Sequence, residues 1–285
     1  MLALAITNGL VIGMIYALTA LGVSLVVGIM NVVNFAHGEF YILAGYFSYI
    51  FAHTMGFDPF AAMFIAVCAV FLFGVLVEYT IIRPTYGDEL YSLILTFILS
   101  IVLQNAYLLI FGPYPNKPPN WVSGATNVFG LFYYGNQRLA ALAAGVAVIV
   151  LFFAMLKMTW FGRMIRATSQ DREMAELNGI NTKRLNMLSF GLGCALAGAA
   201  GVILAPVFPV TPTAGVPLAL TAFVCVVLGG MGSMRGCIVG GLILGLVENL
   251  GAAYVSTGYK HVFMFIILIL VLLVRPSGLF GRSEA

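Results

Sequence analysis

The sequence predicts an all-α protein, a polytopic bundle of about 8–9 transmembrane helices. Hydrophobic residues make up 62% of the 285 residues and charged residues only 8%, whereas soluble domains are about 45–50% apolar and about 25% charged. A soluble fold of this length could not cover that excess with polar surface. The apolar residues also form continuous runs without a period-two alternation, which favours helices over a barrel.

Nine apolar runs are long enough to be membrane segments, because a membrane helix needs roughly 20 mainly apolar residues. They cover approximately residues 5–30, 38–55, 59–82, 89–112, 138–160, 186–206, 214–232, 236–256 and 260–275. We expect one transmembrane domain over residues 1–285. Its two long polar segments are an extracytoplasmic loop at 113–137 and a cytoplasmic loop at 161–185.

The first run leaves three arrangements open. Residues 1–36 contain no Asp, Glu, Lys, Arg or His. A helix over residues 1–30 would be ~45 Å long, which exceeds the ~30 Å hydrocarbon core. One tilted helix, a helix with a partial or re-entrant second one, and two short crossings all remain possible. Asn31, Asn34 and Gly38 weaken a helix, so we expect a break near them.

Basic residues predict the orientation, because Lys and Arg accumulate on the cytoplasmic side. If residues 157–185 are cytoplasmic, ten of the thirteen Lys and Arg lie inside. Lys117, Arg138 and Lys260 are then the three outside. The C-terminus, with Arg282, is expected in the cytoplasm.

The extracytoplasmic loop contains four prolines and the interfacial Trp121, a composition typical of loops at a membrane surface. It is either a plain connector or part of a docking surface for an extracytoplasmic partner.

The cytoplasmic loop predicts a short capped helix of ~9 residues. Ser169 can cap its first amides, and Asp171 and Glu173 suit its first turn. Asn178-Gly179 supplies a left-handed stop. A plain connection needs only about 2–8 residues. This helix therefore indicates a surface that presses on another protein, or else a helix lying on the inner lipid headgroups.

Three stretches resemble a known family. They are Asn8-Gly9 to Gly22, Asn34-Phe-Ala-His-Gly-Glu39, and Arg172 to Asn181 followed by the small-residue stretch Gly191 to Leu204. Together they resemble permease subunits of branched-chain amino-acid ABC importers, a family with relatives for urea and amides. The third is similar to the ATPase-contacting motif of importer permeases, with Glu173-Met174-Ala175 where the motif has Glu-Ala-Ala.

The resemblance implies an ABC importer permease in the bacterial inner membrane. Two permeases, identical or paralogous, pair around a central path, two cytoplasmic ATPases bind the coupling helices, and an extracytoplasmic solute-binding protein delivers substrate. The residues implied in ATPase coupling are Asp171, Arg172, Glu173, Ala175, Glu176 and Gly179.

The chain carries no ATP-binding loop of its own. A Walker-type loop needs Gly directly before its Lys, and the four lysines follow Asn, Leu, Thr and Tyr. We therefore expect no enzyme activity and no cofactor in this chain, with ATP used by partner subunits. Neither a metal site nor nucleic-acid binding is expected, since ligand spacing is lacking and the net charge is only +3.

Polar residues inside apolar runs are costly and tend to face a partner or a wet path. The candidates for the translocation pathway are Asn31, Asn34, His37, Glu39 and Glu248. The first four could instead form an interfacial turn wetted by headgroups. A stand-alone secondary transporter or channel is the alternative function, supported by the helix break and Glu248.

Glycines four residues apart allow close helix approach. They are Gly9 and Gly13, Gly236 and Gly240, and Gly241 and Gly245. We expect them to pack helices within the subunit, with a dimer interface as the alternative.

Overall fold

The computed structural model describes residues 2–128 and 132–281, so Arg282 lies outside the described residues. Within them the chain forms eleven α-helices and a two-stranded hairpin. The helices are α1 (Leu2–Met30), α2 (His37–Tyr49), α3 (Pro59–Val77), α4 (Glu89–Phe111), α5 (Asn136–Met158), α6 (Trp160–Gln170), α7 (Arg172–Leu177), α8 (Thr182–Leu204), α9 (Gly215–Gly229), α10 (Met234–Tyr254) and α11 (Lys260–Val274).

Six of these helices are long and apolar enough to cross a membrane, namely α1, α4, α5, α8, α10 and α3 with its continuation to Thr85. That continuation is a π turn, Glu78–Ile82, and a 3-10 turn, Arg83–Thr85. The predicted helical membrane fold is confirmed. The count of crossings stays a prediction, because α9 and the apolar part of α11 (Val262–Val274) are shorter.

Two short helical turns and one hairpin complete the described elements. A π turn, Ile50–Thr54, extends α2, and a 3-10 turn, Thr257–Tyr259, precedes α11. Strands β1 (Ala125–Val128) and β2 (Phe132–Gly135) pair antiparallel, with Ala125 opposite Gly135. The all-α prediction missed this hairpin, although Thr and Tyr favour pleated structure.

Helices α1 and α8 form the centre of the bundle. In each, 83% of the most apolar window is buried, against 22–28% in α3, α4 and α5. These three outer helices expose apolar side chains, which suits contact with lipid.

The first apolar run is a single long helix, α1, followed by a short helix that starts inside the protein. Asn31 ends α1 in the left-handed region with φ 51°, a conformation that Asn tolerates better than most residues. Residues 31–36 are not helical, and α2 begins at the fully buried His37. The predicted break is confirmed, and it leaves α2 starting in the interior.

Helix α1 crosses α10 at close range because glycines line the crossing. A Cβ atom at Gly13 would lie 2.9 Å from Leu242 Cα, and one at Gly241 would lie 2.5 Å from the Ala17 nitrogen. Gly9 and Gly245 belong to the same crossing. Each of these four glycines therefore stands where a side chain would meet the backbone of the other helix.

Two further glycines of α10 face a different helix. Gly236 meets Gly229 of α9, and Gly240 meets the Cys225 carbonyl of α9. The same stretch of α10 therefore approaches α1 on one side and α9 on the other.

The polar connections gather at two ends of the bundle. Arg172 shares a cavity with the α3–α4 turn. Arg166 shares another with residues 231–234 and Phe280, so the α9–α10 turn and the C-terminal segment lie at this end too. At the opposite end, the Asn8 amide oxygen accepts hydrogen bonds from Arg138 Nη1 and Tyr134 Oη, both at 2.8 Å.

Candidate functional site

The predicted cytoplasmic loop folds as two helices, α6 and α7, where one was expected. Asp171 interrupts them with extended backbone, and its Oδ1 atom accepts a hydrogen bond from the Met174 amide at 2.9 Å. Asp171 is therefore the N-cap of α7. The prediction that Ser169 caps this helix is wrong, because Ser169 lies inside α6 and donates to the Arg166 carbonyl.

Helix α7 presents most of its side chains to solvent. Asp171, Arg172, Glu173 and Glu176 are exposed, while Ala175 is buried against the bundle. Helix α7 ends at Leu177, and Gly179 follows it with a φ of 84°, which permits the left-handed turn that the sequence predicts.

Two apolar side chains of α7 are also exposed. Met174 is 57% and Leu177 is 76% accessible. Exposed apolar residues rimmed by charge are typical of protein–protein contacts. Both residues belong to a small apolar set that the sequence displays, but neither was among the residues predicted for ATPase coupling.

Glu176 ties α7 to the start of α8. Its Oε1 atom accepts a hydrogen bond from the Thr182 hydroxyl at 2.6 Å and lies 3.5 Å from Arg172 Nε. The Thr182 hydrogen bond, with a smaller effect of Arg172, lowers the pKa of Glu176 below its usual value. Glu176 is therefore an anion at neutral pH.

Arg172 faces a polar cavity of about 220 Å³ that three chain segments share. Asn31 lines it from the end of α1, and Tyr86, Asp88 and Glu89 line it from the α3–α4 turn. The residue at which α1 breaks therefore borders the same cavity as the first residue of α7.

Tyr86 connects this cavity to the interior. Its hydroxyl donates a hydrogen bond to Glu78, which is fully buried in the π turn after α3. Burial, reinforced by Glu78, raises the pKa of the Tyr86 phenol, so the phenol stays protonated and able to donate. Glu78 is thus held by Tyr86.

Residues 31–36 run from this cavity to the start of α2. Asn34 caps the turn at its centre, since its Oδ1 atom accepts from the Ala36 amide at 2.9 Å. His37 Nε2 lies 3.1 Å from the Thr19 carbonyl of α1. A carbonyl only accepts, so this nitrogen carries the proton.

Glu39 is the fully buried carboxylate at the start of α2. Its Oε1 atom accepts a hydrogen bond from the Ser100 hydroxyl at 3.1 Å. Its Oε2 atom has no hydrogen-bond partner among the described residues. A Cβ atom at Gly215 would lie 2.5 Å from Glu39 Cδ. The carboxylate thus meets the N-terminus of α9, whose helix dipole favours an anion.

A line of polar side chains on α4 contacts the non-helical residues 31–36, the broken segment, and the start of α2. We name this line the polar seam; it consists of Ser92, Thr96, Ser100 and Tyr107. The Thr96 hydroxyl contacts the Phe35 amide at 3.3 Å and the Val33 carbonyl at 3.4 Å. Ser100 binds the Glu39 carboxylate, and Tyr107 Oη donates to the Glu39 carbonyl at 3.0 Å.

The seam continues to the polar end of the bundle through Ser92, whose hydroxyl contacts that of Thr85. Ser92, Thr96 and Ser100 are four residues apart and therefore share one face of α4. All three are nearly fully buried. The sequence analysis missed the seam, although this spacing was a readable signal.

The fifth pathway candidate, Glu248, lies elsewhere. It is buried on α10, and its Oε2 atom accepts a hydrogen bond from Tyr16 Oη of α1 at 2.6 Å. The structure therefore brings Asn31, Asn34, His37 and Glu39 onto one segment and places Glu248 in the α1–α10 crossing. No group of three or more His, Cys, Asp or Glu that could hold a metal occurs among the described residues.

Comparison with known proteins identifies one matching family. Residues 5–272 match the family described as branched-chain amino acid transport system, permease component. This match includes every site residue discussed above.

Two relatives from Escherichia coli strain K12 match along most of the chain. The high-affinity branched-chain amino acid transport system permease protein LivH is 40% identical over 97% of this chain and 94% of its own length. The permease protein LivM of the same kind of system is 27% identical over 95% of this chain and 69% of its own length.

A solved structure shares the fold. PsaBC from Streptococcus pneumoniae, in complex with Fab, aligns with a TM-score of 0.52 over 96% of this chain and 92% of that chain. Their sequence identity is 12%, so the likeness concerns the arrangement of helices alone.

Proposed function

Because this chain belongs to the permease family of branched-chain amino acid transport systems, we propose that it conducts branched-chain amino acids across the bacterial inner membrane as one permease subunit of an ATP-driven importer. It is a multi-pass membrane permease subunit of this family. In this proposal residues 1–285 serve as a single transmembrane domain. The stand-alone transporter or channel is not favoured, since the relatives are named as permease proteins of transport systems.

Three kinds of partner follow from the family. Two cytoplasmic ATPase subunits supply the energy, an extracytoplasmic binding protein delivers the solute, and a second permease completes the path. The presence of LivH and LivM in one organism, both related to this chain, supports a paralogous second permease. We place the C-terminus in the cytoplasm, because the Arg-rich connections share one end of the bundle.

The observation that carries the proposal is the cavity between Arg172 and Asn31. A partner that pushes on α7 would move Arg172 against the α3–α4 turn and against the point where α1 breaks. From there the polar seam follows the broken segment to Glu39. An ATPase bound to α7 would therefore be connected, through side chains in contact with one another, to the buried Glu39.

The translocation path in this proposal passes the broken segment. Asn34, His37 and Glu39 each keep one buried polar atom without a hydrogen-bond partner among the described residues. Buried polar groups are normally paired, so these atoms suit a position that water or solute reaches when the helices separate. Glu248, which accepts a hydrogen bond from Tyr16 in the α1–α10 crossing, stays a separate candidate for the path.

The test is ATP-driven uptake of labelled leucine, in the presence of the binding protein, into proteoliposomes that contain the permease with both ATPases and the second permease. Glu173→Lys should lower uptake and weaken co-purification of the ATPases, because Glu173 is exposed on α7 and has no hydrogen bond or ion pair among the described residues. ATP-independent uptake by the purified chain alone, driven by an ion gradient, would refute the proposal.

A matched control is Lys117→Glu, a charge reversal at an exposed residue of the opposite end. It should leave co-purification of the ATPases unchanged. Equal loss of the ATPases in both variants would show that α7 is not the contact surface.

A further inference from the structure

A second cavity, of about 420 Å³, lies at the α6 end of the bundle and takes no part in the coupling path. It is bordered by the end of α1, by α6, by the α9–α10 turn and by Phe280 of the C-terminal segment. Its volume falls within the range of about 300–1,000 Å³ typical of small-molecule sites. In the orientation proposed above it opens toward the cytoplasm.

The polar part of its lining suits an anion with hydrogen-bonding groups. Arg166 is the charged residue among the described residues that line it. Ser169, Gln170 and Ser233 add neutral donors and acceptors. Ser233 also caps α10, with the Gly236 amide 3.2 Å from its hydroxyl, so the positive end of a 21-residue helix faces the same space.

One buried hydroxyl in this cavity, that of Ser24, has only a sulfur partner, the Cys237 thiol. Ser24, on α1, is 1% exposed and lines the cavity. Its hydroxyl has no nitrogen or oxygen hydrogen-bond partner among the described residues. Sulfur is a weak hydrogen-bond partner, so a ligand atom or a water beside Ser24 would satisfy its hydroxyl better than the thiol does.

The remaining lining is apolar and is formed by Ile29, Ile165, Met234 and Phe280 among others. A ligand that uses both parts has a carboxylate at one end and a short aliphatic group at the other. We propose that this cavity binds a free branched-chain amino acid from the cytoplasm, so that accumulated product slows further import. The inference rests on the proposed function, because that function makes such an amino acid the transported product.

Each group of this ligand has complementary residues in the cavity. The carboxylate would pair with Arg166 and the first amides of α10, and the ammonium would donate to the Ser24 hydroxyl and Gln170. The branched side chain would contact Ile29, Ile165 and Phe280. Occupancy would fix α6, which directly precedes α7, against α1 and so restrain the coupling helix.

Gly28 provides a clean variant. It lies in α1 with helical backbone and lines the cavity, and a Cβ atom there would meet nothing within 4 Å. A side chain at this position therefore starts in open space, and Gly28→Leu is chosen to occupy the cavity. Gly135 is the matched control, because a Cβ atom there also meets nothing within 4 Å and it lies at the opposite end.

The experiment measures initial uptake of labelled valine by the assembled importer in proteoliposomes, either empty or preloaded with leucine. Preloading should slow uptake by the wild type and by Gly135→Leu roughly fivefold or more. Gly28→Leu should take up valine at the wild-type rate into empty vesicles and should be insensitive to preloading. Equilibrium dialysis of labelled leucine, without binding protein, should show binding that Gly28→Leu loses.

Three outcomes overturn the inference. The first is a wild type insensitive to internal leucine, and the second is equal inhibition of Gly28→Leu. The third is retention of phosphatidylglycerol by the purified wild type and not by Gly28→Leu, without leucine binding, which would assign the cavity to a lipid headgroup. Failure of uptake into empty vesicles by the wild type would instead refute the proposed function.

Discussion

The Ser100 hydroxyl donates a hydrogen bond to the Glu39 carboxylate at 3.1 Å, between α4 and the buried start of α2. The two residues are 61 positions apart. Through this bond an outer helix with mostly lipid-facing side chains holds a carboxyl group in the interior. The polar seam therefore consists of contacts between separate helices, and a single substitution can remove one of them.

Ser100→Ala should destabilise the permease and lower uptake. It removes the hydrogen bond to a buried carboxylate, a loss worth about 1–3 kcal/mol or more for charged groups. The measurement is the unfolding midpoint of the purified chain in detergent, followed by leucine uptake of the assembled importer.

Thr80→Ala is the control for this change. Thr80 is exposed, and its hydroxyl bonds only to the Leu76 carbonyl of its own turn. It should remain near wild type in both measurements. If Ser100→Ala also matched the wild type, the polar seam would have no role in holding Glu39.

The positions of the long apolar helices could be predicted because each follows a local pattern. The run at 89–112 became α4 at Glu89–Phe111, with Asp88 capping it through the Tyr91 amide. Such patterns depend on residues within one turn, and the sequence displays them directly.

Tertiary features were less accessible to prediction. Ser169 and Asp171 are both good caps, and only packing decides that α6 continues through Ser169. The Thr96 hydroxyl also donates to the Leu93 carbonyl of its own helix at 3.0 Å, and Ser100 could have done the same. Their contacts with the broken segment were therefore not evident from the sequence. The interior start of α2 depends on how Gly38 fits against the Gly215 carbonyl.

Tyr16→Phe should lower stability more than it lowers transport. The change deletes the hydrogen bond from Tyr16 to Glu248, which at a charged acceptor is worth about 1.5–3 kcal/mol. Chemical unfolding should report the loss, while uptake per folded molecule stays close to wild type. Tyr254→Phe, at an exposed position of α10, should change neither.

The companion variant Glu248→Gln decides the role of the carboxylate. If Glu248 lies on the path, uptake should fall with little change in the unfolding midpoint. A fall in stability with normal uptake per folded molecule would instead make Glu248 a structural residue of the α1–α10 crossing.

Gly245→Val should disrupt the fold of the subunit itself. A Cβ atom at Gly245 would overlap the backbone of Gly13, which cannot move aside as a side chain could. Overpacking of this kind costs about 1–3 kcal/mol and occasionally more. The unfolding midpoint should drop, whereas Gly135→Val, at an open position, should not change it.

The alternative role of this glycine predicts a different result. If Gly245 formed a dimer interface, the variant chain would keep its unfolding midpoint and lose the second permease during purification. Size-exclusion chromatography of the co-expressed subunits separates the two cases.

Met174→Ser combined with Leu177→Ser should release the ATPases without unfolding the permease. Both side chains are exposed on α7 and lie outside the buried core. The free energy of unfolding should therefore stay within about 0.5 kcal/mol of the wild-type value. At an interface, removal of apolar anchors commonly costs more than 1 kcal/mol each. ATPase co-purification and ATP-driven uptake should therefore fall together.

Tyr114→Ser, at an exposed apolar residue of the opposite end, should preserve both. If the double variant retained the ATPases, the contact would depend on the charged residues of α7 alone. That result would contradict a docking role for Met174 and Leu177.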